Sequence, residues 1–285
     1  MNRTCAVDEL LDGFSLEMTG RDTGEVGAIR DIVPPGTRIN VTFLGGEDLT
    51  LRRSAARAVK AAGFVPVPHI SARRLASPAA LSEHLATLAA DGTVEYVFVV
   101  GGDPATPHGP YSDALSVIES GLLQAHGVRR VSIAGYPEGH PDIPPAALWS
   151  ALTGKSAALR RTGLAGEVIT QFGFDVDPVL DWIEDVRGLG IDAPVRIGVP
   201  GPAGVHRLLR FAGRFGVGTS ASIARKYGLS LTNLMGTAGP DRFLRALATD
   251  YHPDRHGVVK VHFYTFGGLR ATSQWIADFR GGRLT

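Results

Sequence analysis

The strict alternation of short apolar runs with helix-like stretches is what most constrains this chain. Eight runs rich in β-branched and apolar residues, each bounded by turn residues, read as strands: 14–17, 38–42, 65–69, 94–100, 131–135, 167–170, 195–198 and 259–263. Between them the pattern changes to helical spacing, over 49–62, 78–90, 111–126, 145–162, 178–189, 203–215, 219–227, 240–250 and 269–279. Ser77 followed by Pro78 offers an N-cap and a proline at the first helical position. Strand and helix alternating eight times predict an α/β fold, a (β/α)8 TIM barrel. A length of 285 residues suits a single barrel, which takes about 250. The chain 1–285 is therefore read as one barrel domain with a short N-terminal extension. A doubly wound open sheet is the structural alternative. Gly198-Val199-Pro200-Gly201-Pro202 does not supply its dinucleotide fingerprint, because proline removes backbone donors.

Composition narrows the partners. With 29 basic and 28 acidic residues, nothing points to nucleic acid. The single cysteine, Cys5, excludes an internal disulfide and a cysteine metal cluster. No apolar run approaches the length of a membrane span, about 18 residues. The N-terminal residues lack the apolar core of a secretion signal. The expectation is a soluble, cytoplasmic protein acting on a small molecule.

A barrel builds its site from loops at the C-terminal strand ends. Polar residues stand at six such tips: Glu17, Thr42, His69, Asp103, Tyr136 and Gln171. Bland readings stand beside the functional ones. Glu17 also suits a surface or ion-paired carboxylate, and Gly101-Gly102-Asp103-Pro104 is good turn chemistry. Gln171 also suits a buried amide serving backbone groups. A zinc reading of Glu138, His140 and His69 has the right donors, but no spacing fixes their geometry, so no metal is expected.

Four segments carry more. Val67-Pro68-His69 closes the third strand, Tyr136-Pro137-Glu138-Gly139-His140-Pro141 follows the fifth, Ile169-Thr170-Gln171-Phe172 ends the sixth, and His262-Phe263-Tyr264-Thr265 ends the eighth. In this order and spacing they resemble the 5,10-methylenetetrahydrofolate reductase family, from about residue 14 to about residue 275. The resemblance implies a barrel that binds FAD, takes hydride from NADH, and passes it to a reduced folate in a ping-pong scheme. It implies an oxidoreductase of one-carbon metabolism, serving methionine biosynthesis. Glu17 matches the family's general acid, and burial is expected to raise its pKa. Asp103 matches a carboxylate beside flavin and pterin, and Gln171 an amide that bonds substrate and nicotinamide in turn. Thr42, His69, Gly102, Tyr111, Tyr136 and His140 match cofactor contacts. Lys155 and Arg160 are candidates for the flavin pyrophosphate.

The chain also departs from the family pattern. Glycine at 101 replaces a common arginine, so a cation is expected to be missing beside Asp103. After the eighth strand an arginine for the folate tail is displaced, with Arg270 the candidate. The resemblance also implies possible self-association through outer helices, and the chain is short for a regulatory domain found in some longer relatives. Two other functional classes compete: a folate-binding one-carbon barrel without flavin redox chemistry, and a non-catalytic assembly subunit.

Overall fold

The computed structural model of the chain describes residues 3–43, 45, 48–215 and 237–283. Eight parallel strands close into a barrel: β1 (Ser15–Met18), β2 (Arg38–Val41), β3 (Val65–Ser71), β4 (Tyr96–Val100), β5 (Arg130–Gly135), β6 (Ala165–Phe172), β7 (Val195–Pro200) and β8 (Val259–Tyr264). Strands pair in chain order, and β8 pairs with both β7 and β1, which closes the ring. The (β/α)8 expectation is met, with strand ends moved by a few residues.

The helices are α1 (Arg3–Leu11), α2 (Leu49–Ala61), α3 (Pro78–Ala90), α4 (Ala114–Ile118), α5 (Leu122–Ala125), α6 (Pro145–Arg161), α7 (Val176–Gly188), α8 (Val205–Phe215), α9 (Asp241–Asp250), α10 (Pro253–His256) and α11 (Leu269–Arg280). Local chemistry sets several starts. The Asp48 carboxylate accepts from the Leu51 N–H, Ser77 from Ala80 and Asp113 from Ser116, each satisfying a donor that the first helical turn leaves free.

Three helix expectations need correction. The stretch 111–126 is not one helix, because Ser120 Oγ donates to the Val117 carbonyl and accepts from the Leu122 N–H, while Gly121 takes φ 73°. Those bonds end α4 and begin α5. Ala203–Gly204 pairs antiparallel with Thr237–Ala238, so α8 starts only at Val205. Helix α1 was not expected, since its apolar residues form no single stripe; it is held by Leu10 and Leu11, both in the core. The expected helix at 219–227 lies outside the described residues.

The two faces of the strands divide the labour. Alternate residues such as Leu16, Ile39, Val97, Ile133, Val168, Ile197 and Phe263 point outward and join the helices in the main core. Each such fully buried side chain contributes about 1.5–3 kcal/mol. The inner face is mixed. Val67, Phe98 and Ile169 form a small apolar cluster of their own, with Tyr96, Val100 and Ala134 against it. Interleaved with them, Ser15, Asn40, Ser132, Glu167, Arg196 and His262 are buried polar residues. A lumen this polar contrasts with the branched apolar layers usual in such barrels.

Candidate active site

Glu17, near the end of β1, stands at the centre of the polar half of the mouth. Its Oε1 accepts a 2.7 Å hydrogen bond from Thr42 Oγ1, just past β2. Its Oε2 lies 3.1 Å from His262 Nε2 on β8 and 3.9 Å from His69 Nε2 on β3. His262 is fully buried, with Ser15 Oγ at 2.9 Å and Asn40 Nδ2 at 3.4 Å from its Nδ1. Arg196 Nη1 donates to that same Ser15 oxygen over 3.3 Å, so the serine's own proton is free for the imidazole. With donors on Nδ1, the ring proton belongs on Nε2, facing Glu17. The carboxylate thus receives two donors, one on each oxygen.

This arrangement overturns one expectation. Burial does push the Glu17 carboxyl up, and it is the largest single influence. The His262 hydrogen bond, the electrostatic influence of the His69 and His262 rings and the Thr42 hydrogen bond together outweigh it, and the net shift is downward. The ligand-free site therefore holds a carboxylate. His69 is pushed down to about 4, mainly by burial, so near neutral pH it is an uncharged imidazole. It packs edge-on to Phe98 at 4.7 Å. Its Nε2 is buried and has no hydrogen-bond partner, a costly condition that a bound polar group would relieve.

Asp103 is reached from the neighbouring loop. Arg74 grips it with two parallel hydrogen bonds of 2.8 and 2.7 Å, a bidentate pairing. The cation expected to be missing here is therefore supplied from the turn that follows β3, instead of from position 101. Gly102 adopts φ 96°, and a Cβ there would collide with Ser71 Oγ, which explains the glycine. Gln171 sits where the pairing of β6 with β7 shifts register between Ile169 and Phe172. Such bulges re-aim side chains near sites; here Gln171 Oε1 accepts from the Phe172 N–H over 3.2 Å. Beside it, Phe172, Tyr264 and Phe266 pack together, and Phe211 of α8 stacks on Phe266 at 4.2 Å. Tyr264 donates to the Thr170 carbonyl, and burial, with the charges of Glu17 and Tyr136, raises its phenol well above the usual range. The mouth thus has a polar half and an aromatic half.

Other anticipated residues lie elsewhere. Tyr111 is buried within the main core. Lys155 is also buried, its Nζ 3.4 Å from the Ala134 carbonyl, and burial lowers it to about 8. Arg160 stands at the end of α6, the end of the barrel away from the mouth, and donates to the Gly190 carbonyl. Neither displays a cation to a pyrophosphate at the mouth. His140 meets Tyr136 edge-on at 5.4 Å and accepts from the Asp142 N–H. Arg270 is exposed near the start of α11, its backbone N–H bonded to Glu25. Sequence reasoning missed His262 as a partner of Glu17, and Arg74 as a partner of Asp103. The first stands in the motif that ends the eighth strand, and the second carries no local signal of its partner.

The methylenetetrahydrofolate reductase family model matches residues 33–278. The chain belongs to that family. Two plant relatives named methylenetetrahydrofolate reductase (NADH) 1 align with part of it. The Arabidopsis thaliana protein is 30% identical over 145 residues, 45% of this chain and 24% of the relative. The Zea mays protein is 30% identical over 131 residues, 41% of this chain and 21% of the relative. The aligned stretch is thus about a quarter of the plant proteins' length. A putative phosphonomutase from Burkholderia cenocepacia superposes with a TM-score of 0.56 at 12% identity, over 98% of both chains; that likeness is one of fold alone. Among the described residues no helix is long and apolar enough to cross a membrane.

The residues present fit a flavin in one part only. The orphaned His69 Nε2 and the Gly102 loop suit the polar edge of a ring. The diphosphate is another matter. Lys155 and Arg160 are committed to backbone carbonyls, Arg73 to the carbonyls of Ser112 and Pro104, and Arg74 to Asp103. Among the described residues, the cations expected to grip the pyrophosphate do not do so.

Proposed function

We propose that the chain reduces 5,10-methylenetetrahydrofolate to 5-methyltetrahydrofolate with hydride from NADH, or runs the reverse oxidation. Membership of the family supports the substrate. The observation that carries the reading is Glu17, held between Thr42 and His262 at the barrel mouth beside an unpartnered His69.

The chemistry asks for a proton and a hydride. Opening the five-membered ring breaks a carbon–nitrogen bond, and the departing nitrogen takes a proton. The methylene carbon, left electron-poor, then accepts hydride. Glu17 is the proton donor: a carboxyl close to the mouth, with 15% of its side chain accessible. Bound folate covers that opening, removes water and favours the protonated form. Thr42 and His262 fix the orientation of the carboxyl throughout. His69 Nε2 gains its missing partner from the bound ligand. Asp103 and Gln171 bind the amino-pyrimidine edge, where an acceptor and an amide that both donates and accepts are suited to the pterin. The aromatic half, Phe172, Tyr264 and Phe266, provides a dry flank for planar rings. FAD, which the family resemblance implies, would supply a hydride relay. Among the described residues its diphosphate lacks a fitting grip.

The test is an absorbance spectrum of the pure protein, then anaerobic NADH, then methylenetetrahydrofolate. NADH oxidation that requires the folate, and that Glu17→Gln abolishes, is the expected outcome. A yellow protein bleached by NADH would make flavin the carrier, and a colourless one would make transfer direct. Tight folate binding with no NADH oxidation in either case would replace the reductase reading with a folate-binding barrel.

A further inference from the structure

The opposite end of the barrel holds a second cavity, of about 400 Å³, at the N-terminal ends of the strands. Arg38, Arg130, Arg196, Lys260 and Arg280 line it, together with the carboxylates of Asp12 and Glu167. Prolines and glycines form much of the rest of its wall, notably Pro34-Pro35-Gly36 and Pro194.

The charges do not cancel. Glu167 is shared by two guanidinium groups, Arg38 at 2.7 Å and Arg196 at 3.1 Å, with Ser132 donating to its other oxygen. That group of three keeps one positive charge. Lys260 approaches Asp12 only to 4.0 Å, and Asp12 is 82% exposed. Arg280 has Asp8 at 3.7 Å. Arg130 lies over the Tyr96 ring, 5.7 Å from its centroid, and Arg38 lies over the same ring at 5.8 Å. Among the described residues no carboxylate comes within ion-pair distance of Arg130. Five cations thus face three carboxylates, and the surplus is concentrated where Arg38 and Arg130 share one ring. A concave wall of low polarizability strengthens that field.

We propose that this floor cavity binds a small polyanion carrying two or three negative charges on phosphate or carboxylate groups. Guanidinium forks match both groups bidentately. The volume falls at the lower end of small-ligand pockets, about 300–1,000 Å³, too large for a single halide and ample for a diphosphate or a tricarboxylate. Between it and the mouth lie the buried side chains of Val67, Phe98 and Ile169 and the hydrogen-bonded Arg196, Ser15 and His262.

Calorimetric titration of the full-length protein with inorganic pyrophosphate, and separately with citrate, tests this. The titration is run at about 50 mM salt, where screening is modest. Saturable binding is expected, weakening as salt is added. Arg130→Gln and Lys260→Gln should each weaken it by about tenfold, the order of one lost charge-assisted contact. Glu17→Gln should leave it unchanged. Tighter binding of pyrophosphate would assign the phosphate class, and tighter binding of citrate the polycarboxylates. No saturation by either anion at concentrations on the order of 10 mM, about 3 kcal/mol of binding, would overturn the proposal. So would wild-type affinity in both the Arg130 and Lys260 variants. If Arg130→Gln fails to fold, Lys260→Gln decides alone.

Discussion

The two ends of this barrel treat a buried carboxylate in opposite ways. At the floor, Glu167 is closed off, 2% exposed, with a guanidinium or hydroxyl donor on each oxygen. At the mouth, Glu17 has hydrogen-bond donors too, but they are neutral-capable groups, and one neighbour, His69, is left without a partner. Two fixed cations tie the Glu167 carboxylate between strands, whereas a hydroxyl and an imidazole orient the Glu17 carboxyl at the open mouth. The difference separates a group that holds strands together from a group placed to exchange a proton, and nothing in the residue type alone distinguishes them.

The sharpest way to break this contrast is to remove each carboxylate in turn. Glu17→Gln keeps the shape and should lower folate turnover by about 10²–10⁴-fold, the usual scale for a general acid, with an unchanged melting curve. Glu167→Ala should do the reverse. It leaves two buried guanidinium groups without their shared partner and should cost about 3–5 kcal/mol of stability, read by denaturant unfolding, with turnover per folded molecule little changed. Full turnover in the first variant, or lost turnover with normal stability in the second, would erase the distinction.

Smaller effects sharpen it. Gly102→Ala forces a side chain into the left-handed region and against Ser71. About 1–2 kcal/mol of stability should be lost from backbone strain alone, with Asp103 displaced and the KM for folate raised. The pH dependence has a definite sign. Glu17 has a lowered pKa in the free site, so its acid form declines steadily as pH rises through neutrality. The kcat/KM for folate reduction should fall from pH 5 to pH 8, and that for the reverse reaction, which needs the carboxylate already present in the free site, should stay level. His69, at about 4, is already neutral across that range and adds no second limb. Thr42→Val removes a donor to the carboxylate. The Glu17 pKa should rise and the alkaline fall-off should move to higher pH, the smallest change of the set. A profile rising with pH in the reductive direction would mean that Glu17 is not the acid.

Much of the fold was legible because its signals are local. β-branched runs, the N-cap at Ser77 and glycine turns each speak within a few residues of themselves. Where local signals compete, the reading failed: Ser120 and Gly121 cut a helix whose apolar spacing ran straight through them, and α1 forms through tertiary contacts of Leu10 and Leu11. In the site, strand tips told where Glu17, Thr42 and His69 would stand, since parallel neighbours in register bring them side by side. The failures were of direction and partnership. Tyr111 and Lys155 turn into packed layers, and Arg160 falls at the far end of α6, away from the mouth. His262 lies 245 residues from Glu17 along the chain, and only ring closure makes them neighbours. The sign of the Glu17 shift followed from that closure as well, since burial was readable but the donors opposing it were not.

The grip of Arg74 on Asp103 has a mechanical consequence. Backbone bonds already join the same two segments, from the Arg73 N–H to the Gly101 carbonyl and from the His108 N–H to the Arg73 carbonyl. Arg73 adds its side-chain contacts to Ser112 and Pro104. The connections leaving β3 and β4 are thereby sewn into one plate. Neither can swing without carrying the other, so opening this part of the rim would be a motion of both, and a ligand that presses on one would be felt by both.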